Sequence, residues 1–236
     1  MFTFINDKLI SFIDYFKSES LYINSKKITL FPYDNLHSRL TYINCSNNKL
    51  TELPNTLPNN LEYLNCNNNK LTELPNILPV NLIELHCYNN NLTELPNILP
   101  VNLIELHCYN NNLTSLPDIL PNNLIKLYCY NNKLTSLPDI IPNNIKYLYC
   151  NDNNLTSLPK LPNNMECLIV QNNDNLSILP EHLPMKLQHL SCSINQISEE
   201  DIKKIPTYTK ITVYNKNNII KEYNYCKMGH IMGWKS

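Results

Sequence analysis

A strict 21-residue period constrains this chain more than any other feature of its sequence. Six cysteines recur with five successive spacings of 21 residues, and they are Cys45, Cys66, Cys87, Cys108, Cys129 and Cys150. A period of this length is typical of solenoids, in which each repeat packs only on its neighbours and stacking buries one continuous core. With 236 residues, 43% of them hydrophobic, the chain is long enough to form one such domain.

Each cysteine stands in the frame L-x-x-L-x-C-x-x-N-x-L, as in Leu61, Leu64, Cys66, Asn69 and Leu71. Side chains alternate between the two faces of a β-strand, so the second Leu and the Cys should point into the core. The recurring Asn can both donate and accept hydrogen bonds with backbone groups of the turn that follows the strand. The frame therefore predicts one short strand per repeat, followed by a turn that the Asn stabilises.

The second half of each repeat reads L-T-x-L-P-x-x-L-P, which places prolines in pairs. The pairs are Pro54 and Pro58, Pro75 and Pro79, Pro96 and Pro100, Pro117 and Pro121, and Pro138 and Pro142. Proline lacks the N–H that a helix interior needs and favours extended geometry in the residue before it. We therefore expect the return segments on the convex side to be extended and not helical.

The combined unit L-P-x-x-L-x-x-L-x-C-x-x-N-x-L-T-x-L-P carries the leucine-rich repeat signature. It resembles the Pro-rich repeats of secreted bacterial effectors and of giant-virus repeat proteins, and the resemblance covers roughly residues 40–197. The richness in Asn, Ile, Lys and Tyr is typical of AT-rich genomes such as those of protists or large viruses. We predict a β-rich solenoid, a leucine-rich repeat horseshoe with a parallel concave sheet and extended convex segments.

Sequence departures from the frame concentrate at the two ends and predict three parts of the chain. Residues 1–39 are expected to form an N-terminal cap with a degenerate first repeat, residues 40–198 the leucine-rich repeats, and residues 199–236 a degenerate last rung with a C-terminal cap. Residues 1–20 are predicted to form a short amphipathic helix, from Phe4, Phe12, Ile13 and Phe16. The degenerate rungs are Leu21, Ile23 and Ile28 before the repeats and Ile211, Val213 and Ile219 after them.

Nine cysteines could indicate a disulfide framework, but the frame argues for buried, reduced thiols. Side chains stacked in register on parallel strands stay about a strand spacing apart, which is longer at Cβ than a relaxed disulfide allows. A line of cysteines also lacks the clustering that a metal site needs. We expect the cysteines to act as small hydrophobic core residues.

The residues that flank the core positions predict the concave surface, which reads as three columns. The predicted partner-binding residues are Tyr63, Glu84, His86, Tyr88, Glu105, His107, Tyr109, Tyr128, Tyr130, Tyr147 and Tyr149. Tyrosine offers a large, rather rigid contact area and is enriched at interface hot spots, which favours a protein or peptide ligand. The alternative is that these aromatic residues only pack against each other across the strands and stabilise the sheet.

Glu84, His86, Glu105 and His107 form a local cluster that could bind a metal or perform acid–base chemistry. We predict neither, nor any other cofactor, because the cluster arose by duplication of two nearly identical units and lies on an open surface. A neighbouring His commonly does no more than reduce the repulsion between stacked Glu carboxylates. Cys226 and His230 are also two ligands short of a usual metal site.

The remaining sequence features narrow the class of function. A net charge of −1 without a long basic run argues against nucleic acid as the partner. No signal peptide or membrane-spanning stretch is recognisable, so we expect a cytoplasmic protein, in the host cell if it is viral. The prediction is a non-catalytic protein–protein interaction scaffold of unknown oligomeric state, with a substrate-recognition subunit or adaptor of a ubiquitin-ligase complex as the alternative.

Overall fold

The computed structural model describes residues 3–5, 8–10, 18–32, 36–198, 202, 205–206, 208–215, 218–225 and 231–232. Its strands are β1 (Thr3–Ile5), β2 (Lys8–Ile10), β3 (Ser20–Tyr22), β4 (Tyr42–Asn44), β5 (Tyr63–Asn65), β6 (Glu84–His86), β7 (Glu105–His107), β8 (Lys126–Tyr128), β9 (Tyr147–Tyr149), β10 (Cys167–Ile169), β11 (His189–Ser193), β12 (Lys210–Asn215), β13 (Asn218–Tyr225) and β14 (Ile231–Met232). A short 3-10 helix, Ile194–Gln196, follows β11.

Strands β3 to β12 lie side by side in chain order and pair in parallel, which makes the curved sheet of a β-solenoid. Residues with the same place in the repeat are exact register partners, as Leu85 and Leu106 are. The return segments between residues 45 and 188 contain turns and extended backbone but no helix. The fold class and the extended return path predicted from the proline pairs are confirmed.

One continuous core runs through the solenoid and is built from the predicted Leu and Cys positions. Leu64, Leu85, Leu106, Leu127 and Leu148 are fully buried, as are the six cysteines of the 21-residue frame. All eight cysteines that the structure describes are free and buried. Burial raises the pKa of the Cys66 thiol to about 12, so this thiol stays protonated and unreactive at neutral pH.

The recurring Asn of the frame locks each repeat to the one before it. The Oδ1 atom of Asn90 accepts from the Leu71 backbone N–H at 3.0 Å, in the previous repeat. Its Nδ2 atom donates to the carbonyls of Cys66 and Cys87, both at 3.1 Å, and of Tyr88 at 3.3 Å. This side chain therefore bonds backbone groups within its own repeat and in the previous one, and its equivalents repeat the pattern.

A second set of amides occupies positions where the backbone turns into the left-handed region. Positive φ angles between 51° and 55° recur at Asn47, Asn68, Asn89, Asn110, Asn131 and Asp152. Asn and Asp tolerate this region far better than other residues that carry a Cβ. Both glycines of the chain lie beyond the repeats, at positions 229 and 233, so Asn performs the role that Gly often has in turns.

Replacing Asn110 by Val should therefore lower the free energy of unfolding by about 1–3 kcal/mol, the cost of holding a non-glycine residue in the left-handed region. Asn110 also donates to the Oδ1 of Asn89 and accepts from Asn131, and these bonds would be lost. Asn110→Gly loses the same bonds but relieves the backbone, so urea denaturation should show a smaller loss. Equal stability of the two variants would contradict the backbone argument.

The two ends depart from the sequence predictions. The helix predicted for residues 1–20 is wrong for the part that the structure describes, because β1 and β2 form an antiparallel pair with Phe4 opposite Leu9. Phe12, Ile13 and Phe16 lie outside the described residues. Thr3–Ile5 and Lys8–Ile10 each contain β-branched residues, and short segments of this type favour strands.

The degenerate rungs are confirmed in part. Leu21 and Ile211 are buried in β3 and β12, the first and last strands of the parallel part of the sheet. Ile219 is not a rung residue, since β13 runs antiparallel to β12 and Ile219 is exposed. In the last repeat, Asn195 stands where the frame places its recurring Asn, but it is exposed, and the next residue, Gln196, is buried and donates to the Asn173 carbonyl. The predicted limits of the three parts, residues 1–39, 40–198 and 199–236, stay predictions.

Candidate functional site on the concave sheet

The concave surface is a grid, because every strand from β5 to β9 has the same length and exact register. The first residue of each strand forms the first column, which contains Tyr63, Glu84, Glu105, Lys126 and Tyr147. The third residue forms the second column, which contains Asn65, His86, His107, Tyr128 and Tyr149. The structure thus brings the predicted columns together, and their side chains are partly exposed.

The third column lies two residues beyond the second and contains a stack of three tyrosines. The rings of Tyr88 and Tyr109, and of Tyr109 and Tyr130, lie 4.3 Å apart between centroids with 10° between their planes. Asn67 and Asn151, which flank the stack in the same column, are buried. The stack is therefore a bounded aromatic patch of three rungs, and its faces pack on each other while each side chain stays partly exposed.

A cluster of charged and imidazole groups lies beside this stack, on β6, β7 and β8. The Nζ atom of Lys126 lies 2.6 Å from Oε1 of Glu105, and Nε2 of His107 lies 3.2 Å from Oε2 of the same carboxylate. The rings of His86 and His107 lie 4.2 Å apart between centroids. Nε2 of His86 is 3.6 Å from Oε2 of Glu84. Three charged side chains on successive rungs and two imidazoles therefore share one small area.

Burial and charge shift the pKa values of these groups in opposite directions. Burial lowers the pKa of His86 to about 4, helped by the neighbouring His107, so this ring is neutral at pH 7. Burial also raises the pKa of Glu84, and the charge of Glu105 adds to the effect. For Glu105, burial raises the pKa, but hydrogen bonds from Lys126 and His107 outweigh burial and leave the pKa below its usual value.

Aromatic packing continues toward the N-terminal end of the grid and includes residues that the sequence reasoning missed. The Tyr42 and Tyr63 rings are stacked at 4.4 Å, so Tyr42 extends the first column by one rung. Cys167 follows Tyr147 in the first column, so it does not continue the line of core cysteines of the 21-residue frame. The signal for both was their place in the repeat, since each is the first residue of a strand.

A row of exposed isoleucines on the return segments is a second surface that the sequence reasoning missed. Ile77, Ile98, Ile119 and Ile140 have exposed fractions between 78% and 82%. They recur because Ile stands directly before the last Leu-Pro of the frame, or before Ile-Pro in the case of Ile140. Apolar side chains exposed in series are unusual on a soluble protein. We call Ile77, Ile98, Ile119 and Ile140 the isoleucine row.

Comparison with known proteins supports the repeat and the fold. The family model described as Leucine Rich Repeat matches residues 39–59 and 60–80, two consecutive units of 21 residues. This match covers two repeats, and the parallel solenoid resembles the fold of leucine-rich repeat proteins. Among curated proteins, no sequence matches the chain significantly. No helix in the part of the chain that the structure describes is long and apolar enough to cross a membrane.

Similar solved structures include bacterial proteins of the same fold. YopM from Yersinia enterocolitica shares 29% identity at a TM-score of 0.69, over 84% of this chain and 49% of that one. The functional domain of InlJ from Listeria monocytogenes, described as including a cysteine ladder, shares 28% at 0.67, over 82% of this chain and 43% of that one. This chain thus spans less than half of either protein. A Shigella effector leucine-rich repeat domain shares 25% at 0.51, with 86% of each chain covered. The predicted likeness to bacterial effectors is confirmed, and the likeness to giant-virus proteins stays a prediction.

Proposed function

We propose that this protein is a non-catalytic scaffold that holds a protein or peptide partner on its concave face. The observation that carries the proposal is the stack of Tyr88, Tyr109 and Tyr130, three partly exposed rings side by side on the central rungs. The likeness of the fold to a Shigella effector leucine-rich repeat domain supports a scaffold of this kind, because the curved surface of a solenoid suits binding. The cytoplasmic location of the protein belongs to the same proposal.

Stacking and binding are compatible roles for these tyrosines. Rings that already pack on each other have few rotamers left to lose, so binding a partner costs them little conformational entropy. Burial raises the pKa of Tyr109 and Tyr130, so their hydroxyls stay protonated and can donate hydrogen bonds at neutral pH. The surface therefore combines a rigid apolar area with polar groups, as interface hot spots do.

Substituting Tyr88, Tyr109 and Tyr130 together by Ala should weaken partner binding by at least about 30-fold, the effect of a single hot spot of about 2 kcal/mol. The partner is first captured from a lysate of the source cells and identified by mass spectrometry. It is then prepared pure, and its dissociation constant is measured by isothermal titration calorimetry with each variant.

The matched control replaces Ile77, Ile98 and Ile119, three members of the isoleucine row, by Ser. Like the three tyrosines, these isoleucines come from successive repeats, but they lie on the return segments. Loss of binding in the tyrosine variant alone supports the concave face. Loss in the isoleucine variant alone would assign the interaction to the return side and overturn the proposal.

The alternative role as a substrate-recognition subunit of a ubiquitin-ligase complex would use the same concave face. The two roles differ in the proteins that are captured, because subunits of a ligase would be captured together with the substrate. Ubiquitination of the captured protein that is lost in the tyrosine variant would favour this role over a simple scaffold.

A further inference from the structure

Duplication has placed two copies of the triplet Glu-Leu-His on neighbouring parallel strands. Glu84 pairs with Glu105 and His86 pairs with His107 in the register of β6 and β7. Donor atoms of His86, Glu105 and His107 all lie within 4.8 Å of one another. Imidazole nitrogen and carboxylate oxygen are ligands that zinc and related divalent transition metals accept.

The side chains of this cluster are more buried than an open sheet surface suggests. The exposed fraction is 16% for each of the His86 and His107 side chains and 19% for Glu105. These side chains are therefore not open to water in the way that the sequence predicted when it disfavoured a metal site. The neighbours that cover the rings include Tyr63 and Tyr128, which contact them edge-on.

One nitrogen in the cluster has no hydrogen-bond partner. Nε2 of His86 is buried and makes no hydrogen bond, although the carboxylate of Glu84 lies 3.6 Å away. The other ring nitrogen, Nδ1, lies 3.2 Å from the Tyr63 hydroxyl. When Nδ1 carries the proton and donates it to the Tyr63 oxygen, Nε2 presents a lone pair toward the cluster. Metal-binding histidines usually have such an outer partner on the second nitrogen.

We propose that Nε2 of His86, Nε2 of His107 and Oε2 of Glu105 bind one divalent transition-metal ion of the zinc type, with the Glu84 carboxylate as fourth ligand. Zinc bonds of about 2.0–2.2 Å place donor atoms roughly 3.5 Å apart, so small side-chain rotations bring His86, Glu105 and His107 onto the ion. The more exposed Glu84 carboxylate, 3.6 Å from Nε2 of His86, turns toward the ion to complete the set. Metal binding requires the His107 tautomer with its proton on Nδ1, so the proton that Nε2 shares with Glu105 moves to Nδ1 by exchange with solvent, and no net proton is released. The site does not depend on the proposed partner.

The ion would join two central rungs of the sheet and neutralise a crowded pair of carboxylates. Lys126 now performs part of that neutralisation, because its ammonium group binds Oε1 of Glu105 and leaves Oε2 free toward His107. A cation beside a bound metal ion repels it, so Lys126 should weaken the site without blocking it.

The experiment uses untagged full-length protein freed of metal, carrying Cys226→Ser and His230→Asn to remove donors of the C-terminal segment. Titration with zinc sulfate in a calorimeter should show one ion per chain. His86→Asn and His107→Asn should each weaken binding by more than the about 10- to 100-fold loss that follows removal of an outer-shell partner. Tyr63→Phe should fall within that outer-shell range.

Two further variants keep the test independent of folding. His182→Asn, the same change at an exposed histidine of a return segment, should leave zinc binding unchanged. Lys126→Met should tighten binding, a gain that a damaged fold cannot produce. Cobalt(II) in place of zinc should give the visible bands of a four-coordinate site without a thiolate charge-transfer band.

Three results would overturn the proposal. The first is no saturable zinc binding by the parent protein. The second is equal affinity in the parent protein and the two histidine variants, which would assign the ion to other residues. The third is a cobalt–thiolate band, which would assign the ion to cysteines.

Discussion

Replacing Asn90 by Leu should lower the free energy of unfolding by about 2–4 kcal/mol, although Leu is the more hydrophobic residue. Within the described part of the chain, the buried Leu71 N–H donates to the Oδ1 atom of Asn90 alone, and a buried donor without a partner costs about 1–3 kcal/mol. Three carbonyls also lose one of their donors, those of Cys66, Cys87 and Tyr88. The change therefore places an apolar side chain in a pocket lined by polar backbone atoms.

The neighbouring residue supplies the matched control, because Asn91 is exposed where Asn90 is buried. Asn91→Leu makes the same chemical change and leaves the hydrogen bonds of Asn90 in place. Surface substitutions of this kind usually change the free energy of unfolding by no more than about 0.5 kcal/mol. Urea denaturation followed by circular dichroism measures both variants. A gain in stability from Asn90→Leu would mean that core hydrophobicity outweighs the hydrogen bonds. The structural role assigned to the recurring Asn of the frame would then be wrong.

The repeat architecture could be predicted because one pattern determines many rungs at once. The spacing of Leu64, Cys66 and Leu71 defines the core side of every strand, and the structure buries all three completely. Backbone conformation at Asn68 and its equivalents was not predicted. The abundance of Asn was read as a compositional bias, whereas a positive φ angle of 52° at Asn68 gives it a physical cause.

The ends were harder to predict because no repetition constrains them. Residues 1–20 show a mixed apolar spacing that fits a helix as well as strands, and pairing between Thr3–Ile5 and Lys8–Ile10 depends on contacts that sequence spacing does not reveal. Ile219 fits a parallel rung by spacing, but the chain reverses after β12, so the residue lies on an antiparallel strand. Strands β1, β2 and β13 lie outside the repeated frame, so no equivalent residue in a neighbouring repeat determines their direction.

The columns of the candidate site could be predicted from strand alternation, but their chemistry could not. Alternation places His86 and His107 side by side and says nothing about rotamers or depth. The burial of the two rings and the unpartnered Nε2 of His86 follow from packing of Tyr63 and other neighbours. Whether the tyrosine column binds a partner also stays a prediction, because stacking by itself fits both packing and binding.

Replacing Leu106 by Ala should lower the free energy of unfolding by about 3–5 kcal/mol, the range found when a buried Leu is truncated in a close-packed core. Leu106 is fully buried on β7, with Leu85 and Leu127 as its register partners. Neighbouring rungs are held by their own backbone bonds and cannot collapse into the space, so a cavity remains. Ile119→Ala, at a side chain that is 82% exposed, should change stability by no more than about 0.5 kcal/mol.

The strands on which hydrogen-exchange protection is lost test the solenoid architecture more sharply than the total loss in free energy of unfolding. Each rung contacts only its neighbours, so the cavity at Leu106 should weaken hydrogen-exchange protection most on β6, β7 and β8. Protection on β4 and β11, which share no contact with this rung, should fall only as far as global stability falls. A uniform loss across all rungs would mean that the chain opens as one cooperative unit. A graded loss centred on β7 means that each repeat contributes its own stability and that the central rungs, which carry the tyrosine stack and the histidine cluster, can be altered while the ends stay folded.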